Sequence, residues 1–192
     1  MESYQSSTMR ISWVITETAH LDPTIDISGL KNVGPFWGSW KTWRSWTTDN
    51  VVCHDAHQAR DLVSKNFHQR CNLYLPSSAY QDLDRPKGVQ LYEGNFHQII
   101  DYPDDVVSMH LASGNSDIVL MLGFDLADKN LDHDKLAKHK WISYQRYVQQ
   151  IITDASSVQW VMLDYKAEIS KELKKVPNLQ FDTLENVLSQ FK

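Results

Sequence analysis

The chain has 192 residues, 42% of them hydrophobic and 22% charged, which is enough for one domain with a proper core. Its formal net charge is −5. That acidic balance argues against duplex nucleic acid as a partner, since neutralising phosphates needs a basic face. No apolar stretch approaches the roughly 18 residues that a bilayer span requires, so no membrane partner is expected.

Residues 1–10 (MESYQSSTMR) are polar, lack the apolar core of a secretory signal, and read as a mobile N-terminal segment. Met9 stands as an alternative start. From residue 11 to 192 the chain reads as a single domain. Ile11 to Thr16 has the composition of a first strand. A tryptophan-rich connection follows, and Asn50 to His54 reads as a second strand. Ala59, Leu62, Val63 and Phe67 recur at helical spacing, predicting a helix from about Ala56 to Gln69, with Asp55 and Gln58 spaced as a capping box. Cys71 to Leu75 is a third strand ended by Pro76. Ser78 and Gln81 suit a short helix, and Arg85 to Gly88 a turn. Val89 to Tyr92 is a fourth strand. Pro103 suits the first turn of a helix that carries Val106, Val107, His110 and Leu111 and stops near Gly114. Asp117 to Asp125 is apolar almost throughout, as a central strand covered on both faces must be. A long helix from Lys135 to Ala155 has Trp141, Tyr144, Val148, Ile151 and Ile152 on its inner face. Val158 to Leu163 is a sixth strand. A helix over Ala167 to Lys174, a weak strand at Leu179 to Phe181 and a last helix from Thr183 close the chain.

Strands alternating with helices of this length imply parallel pairing through right-handed crossovers. The expected fold is α/β: a three-layer Rossmann-like sandwich with a mainly parallel sheet of about six strands. Cys53 and Cys71 lie in apolar runs and read as buried free thiols, which suits a reducing, cytoplasmic setting.

In such folds ligands sit beyond the carboxyl ends of the strands. That rule selects Thr16, Glu17 and Thr18, then His54, Asp55 and His57, then Ser77 and Ser78, Glu93, Asp125 and Asp164. His54, Asp55 and His57 form a weak candidate for a divalent metal, against the plainer reading of a helix cap beside two exposed histidines. His133, Asp134 and His139 have no recognised ligand spacing. Asp125 ends the buried strand and suits a ribose hydroxyl, a metal or a proton, against the alternative of a cap. No dinucleotide, P-loop or nucleophile-elbow motif is present.

Trp37, Trp40, Trp43 and Trp46 stand at three-residue spacing, with Lys41 and Arg44 interleaved. On a 3₁₀-like helix they would share one side. Two or three of them packing into the core is the plain reading. A stacking platform whose Lys41 and Arg44 reach phosphates, or a protein-interface hot spot, are the alternatives.

The segment Ser113 to Leu126 (SGNSDIVLMLGFDL) resembles a Rossmann-like group comprising bacterial sialyltransferases and the motility-accessory-factor and pterin-pyrophosphokinase-like proteins. Together with the helix that runs into this strand, the resemblance covers about 25 residues, and it implies that Gly123 and Asp125 lie near a nucleotide. The chain has TETAHLDPT where that group has its glycine-rich loop. The runs WGSWKTWRSWTTDNVVCHD and LMLGFDL also look like small uncharacterised proteins of tailed phages infecting marine cyanobacteria, which implies a viral accessory protein in a host cytoplasm. Three functions follow as expectations. The first is binding of a nucleotide or similar anionic metabolite through Trp40, Lys41, Trp43, Arg44, Gly123 and Asp125, with the Trp segment as a flap and Asp125, His54 and Asp55 as the polar, candidate catalytic groups. The second is a non-catalytic accessory or virion-associated role through a protein partner on the Trp face. The third is a metal-dependent hydrolase or nuclease built on His54, Asp55, His57 and Asp125. No cofactor is specified by the residues.

Overall fold

The computed structural model describes residues 9–16, 19, 27–93, 103–124, 126, 134–164 and 173–190. Eight strands form one sheet: β1 (Ile11–Ile15), β2 (Phe36–Ser39), β3 (Asn50–Val52), β4 (Asn72–Pro76), β5 (Val89–Tyr92), β6 (Ile118–Leu122), β7 (Gln159–Leu163) and β8 (Leu179–Asp182). Their order is β5-β4-β3-β2-β1-β6-β7-β8, and all seven pairings are parallel. The chain steps outward from β1 to one edge, returns to the other side of β1, and steps outward again. The order therefore reverses between β1 and β6.

Among the described residues the α-helices are α1 (Ile27–Val33), α2 (Trp40–Trp46), α3 (Ala56–Ser64), α4 (Ser77–Asp82), α5 (Pro103–Ser113) and α6 (Lys135–Asp154), which connect successive strands, and α7 (Leu184–Ser189), which follows β8. Side chains alternate across each strand, so each face needs its own cover. On one face Val106 and Met109 of α5 and Val148 and Ile152 of α6 pack on Val14, Val119, Met121, Trp160 and Met162. On the other, Leu30 of α1 and Leu184 and Val187 of α7 pack on Trp13, Ile15, Leu120 and Leu122. Ala59 and Leu62 of α3 and Ala79 of α4 continue that layer over Val51, Leu73 and Leu75. The layered α/β architecture is the expected one, with eight strands in place of about six. The weak segment at residue 179 is a full strand, and β2 begins inside the stretch expected to be a connection.

β2 explains the tryptophan run. Phe36 and Trp37 point to opposite faces of the sheet and are both buried. Ser39 then accepts a hydrogen bond from the Thr42 amide at 3.2 Å and opens α2. An α-helix turns about 100° per residue, so each three-residue step moves the ring about 60° around the axis. Trp46 consequently reaches the cluster of Phe36, while Trp40 and Trp43 stay half-buried beside α3. The run is thus a strand followed by an α-helix, and its rings are divided among three clusters.

Polar pins join the layers. Asp49 accepts from the Phe36 amide at 2.9 Å and from Lys31 at 3.0 Å, tying α1 to β2. The Trp13 indole donates to the Leu30 carbonyl at 3.1 Å. The Asn178 amide donates to the carbonyls of Ile152, Ala155 and Val158, closing the carboxyl end of α6. Asp134 opens that helix by accepting from the Ala137 amide at 3.0 Å, a capping role. The helix expected over Ala167 to Lys174 falls mostly outside the described residues, which there show a 3₁₀ turn at Leu173–Lys175. The helix expected to reach Gln69 stops at Ser64. Asn66 then takes a positive φ, and a 3₁₀ turn follows at Phe67–Gln69.

Candidate functional site

Because every strand is parallel, all their carboxyl ends share one edge. At the reversal point, the Thr16 amide donates to the Leu122 carbonyl at 3.1 Å, and the Thr16 hydroxyl donates to the Gly123 carbonyl at 2.6 Å. Gly123 has φ +80°, and a Cβ there would lie 2.5 Å from the Ala19 nitrogen. Only glycine satisfies both the backbone angle and that approach. The chains leaving β1 and β6 are therefore held backbone to backbone at the switch point. Asp125, Glu17, Thr18 and His133 lie outside the described residues.

Two strands away, at a spacing of roughly 10 Å for two interstrand steps, β3 ends in Cys53, His54 and Asp55. Asp55 opens α3 by accepting from the Gln58 amide at 2.8 Å, as the capping-box spacing predicts. The Gln58 side chain reaches back to accept from the His54 amide at 3.4 Å. The first turn of α5 brings Asp104 against the same place. His54 Nδ1 lies 3.0 Å from Asp104 Oδ1, and His54 Nε2 lies 3.2 Å from Asp55 Oδ2. The Asp104 side chain is 8% exposed, while that of His54 is 37% exposed, so one partner is fixed in the interior and the ring edge reaches solvent. The Ser108 hydroxyl donates to the Asp104 carbonyl at 2.7 Å and steadies that turn.

The Asp104 hydrogen bond lifts the His54 imidazole above its ordinary range, against the opposing pull of partial burial. Burial lifts the Asp104 carboxyl, and the His54 contact limits that rise. Cys53 is fully buried, and its thiol is pushed well above the usual range by desolvation and then by Asp104 and Asp55. It is a packing group rather than a thiolate nucleophile. Cys71 is likewise a buried free thiol, pushed up to about 11 by burial. Burial raises the Tyr92 phenol, with Asp104 adding to the effect.

The remaining sequence candidates are distributed differently. Trp40 and Trp43 belong to the cluster of Cys53 and Ala56, the chain neighbours of His54 and Asp55. Arg44 stacks over Trp40 at 4.6 Å and lies 3.6 Å from Asp61. Lys41 is exposed. Ser77 and Ser78 are exposed on the first turn of α4. His57 is exposed on the first turn of α3. Among the described residues no group of three His, Cys, Asp or Glu side chains is disposed to hold a metal ion. Asp164 accepts from the Leu184 amide at 3.2 Å and serves the start of α7. Glu93 is exposed after β5. Asp104 is the residue that sequence reasoning missed. Its local signal is an acidic pair after Pro103 at the start of a mostly apolar helix, and its partner lies 50 residues away.

Among the described residues no helix is long and apolar enough to cross a membrane. No protein-family model, curated protein or solved structure matches the chain. The class it belongs to rests on its own architecture: a layered, Rossmann-like α/β protein with a wholly parallel sheet.

Proposed function

We propose that the protein binds a nucleotide or a similar anionic metabolite at the carboxyl edge of its sheet. The observation that carries this reading is the reversal of strand order between β1 and β6, the position at which open parallel sheets bind their ligands. Thr16 and Gly123 mark the floor of that position, and the short segment after Gly123 carries Asp125. Two strands along the same edge stands His54, so a ligand of nucleotide length reaches from one to the other. Trp40 and Trp43 keep part of their surface, and Arg44 covers Trp40. These are the rings that a base or a partner side chain would meet, which keeps a protein-binding role as the second reading.

The test is a panel of nucleotides and nucleotide-sugars, read by thermal shift and by intrinsic tryptophan fluorescence. At least one member is expected to raise the midpoint of unfolding by several degrees at millimolar concentration. If no member moves either signal, the reading is wrong. A stable complex with a protein partner, lost in folded Trp40→Ala and Trp43→Ala variants, would then favour the second reading.

A further inference from the structure

His54 presents both ring nitrogens to carboxylate oxygens that come from two separate elements. Nδ1 faces Asp104 at the start of α5, and Nε2 faces Asp55 at the start of α3. Carboxylates accept hydrogen bonds and do not donate them, and only the imidazolium has two N–H donors. The geometry is therefore that of a charged ring held between two acceptors. Those acceptors differ. Asp104 is buried, so losing its hydrogen bond to the ring would leave a poorly solvated carboxylate. Asp55 is 46% exposed, and its other oxygen is already committed to the Gln58 amide. Its Oδ2 can turn to solvent without opening α3.

The structure assigns His54 Nε2 as a proton-donating site for an anionic oxygen of a bound ligand, with Asp55 Oδ2 standing where that oxygen would sit. Asp104 is the positioning residue. Nε2–H donates a hydrogen bond to the ligand oxygen, and the proton crosses only when chemistry on the ligand makes that oxygen more basic than the imidazole: the Nε2–H bond then breaks and an O–H bond forms with a lone pair of that oxygen. The ring is left neutral, keeping Nδ1–H on Asp104. The ligand class follows from what already sits there: a carboxylate oxygen lies 3.2 Å from Nε2 as its ion-pair partner, so a phosphate or carboxylate oxygen suits the same place. The groups facing the ring are Asp55 and Gln58 from the β3–α3 turn and Asp104 from α5, with Cys53 and Tyr92 close by. Neither thiol nor phenol competes for the proton, because burial keeps both neutral. The inference rests on the ligand reading above only for what the donor serves. Its test needs no ligand.

The decisive question is which nitrogen gives up its proton first. Long-range ¹H–¹⁵N spectra of the full chain, with the His54 signals assigned by their loss in His54→Gln, are followed to alkaline pH. The expected neutral ring is protonated on Nδ1 and bare on Nε2. A neutral ring protonated on Nε2 overturns the inference, because the supposed donor proton would be the one that stays. In Asp104→Asn the neutral ring is expected to shift toward the common Nε2–H form. An unchanged tautomer in that folded variant removes Asp104 from the positioning role. Access is read by diethyl pyrocarbonate with peptide-resolved mass spectrometry. His54 is expected to react once neutral, and several-fold faster in Asp55→Asn. An unreactive His54, or a rate that Asp55→Asn leaves unchanged, overturns the stand-in role of Asp55. A nucleotide panel without effect beside a His54 that behaves as stated would sink the ligand reading and leave this donor intact.

Discussion

At the scale of single residues, the Asp104–His54 pair and Gly123 carry the sharpest consequences. Removing one partner of a buried, hydrogen-bonded pair costs about 3–5 kcal/mol when the other charge is stranded. Here His54 is partly solvated, so Asp104→Ala is expected to lower the free energy of unfolding by about 3 kcal/mol in urea titrations. The imidazole is raised in the folded state, so its stabilising contribution is complete below the ordinary histidine range and fades as pH climbs through the raised value. The stability gap between wild type and His54→Gln should accordingly be larger at mildly acidic than at alkaline pH, measured by thermal melts across that window. A gap independent of pH would mean that the ring is not held charged. Gly123 and Gly88 offer a matched comparison, with φ of +80° and +81°. A Cβ at Gly88 meets nothing, while one at Gly123 collides with Ala19. Gly88→Ala should cost about 1–2 kcal/mol from backbone strain alone. Gly123→Ala adds overpacking of about 1–3 kcal/mol. Equal losses in the two variants would show that the loops after β1 and β6 are not pressed together.

At the scale of elements, the tryptophan run shows how one sequence pattern hides two structures. Three-residue spacing invites a 3₁₀ reading, but the run contains a strand end, a serine cap and an α-helix. β2 is only four residues, FWGS, and its glycine and serine carry no strand signal. Gly38 is there because a Cβ would lie 3.0 Å from the Thr42 side chain, a packing demand visible only once α2 is folded back on β2. By contrast β6, α6 and the Asp55 cap were legible, since long apolar runs, helical periodicity and capping spacing are local signals. The energetic ranking within the run follows burial. Trp46 is 3% exposed against Phe36, so Trp46→Ala should cost about 3–5 kcal/mol. Arg44→Ala loses an exposed ion pair and a stacking contact on Trp40, together below about 1 kcal/mol. Urea midpoints of the two variants check this order. A larger loss for Arg44 would mean that α2 is held by its surface and not by its buried rings.

At the scale of the whole molecule, strand order is what no local signal contains. The sequence supplies alternating strands and helices, and right-handed crossovers make neighbours parallel, but nothing in residues 93–117 says that the chain returns to β1. That return is decided by α5. Its apolar residues Val106 and Met109 share a cluster with Val14 of β1 and Trp37 of β2, so the chain is drawn back across the sheet and β6 lands beside β1. The same return brings Asp104 to His54, and for that reason the candidate site was only half visible beforehand: β3 announces His54 and Asp55, while their partner arrives by tertiary packing. The order also sets a gradient of stability. β1, β6 and β7 are paired on both sides and covered on both faces, whereas among the described residues β5 and β8 are paired on one side. β5 additionally exposes Leu91. Amide exchange should therefore be slowest in β1 and β6, where opening requires global unfolding, and orders of magnitude faster in β5. Because α5 bridges β1 to β3, loosening its first turn in Asp104→Asn should speed exchange in β3 more than in β7. Equal acceleration in β3 and β7 would show that Asp104 acts on the global unfolding equilibrium, and that the edge holding His54 has no local stability of its own.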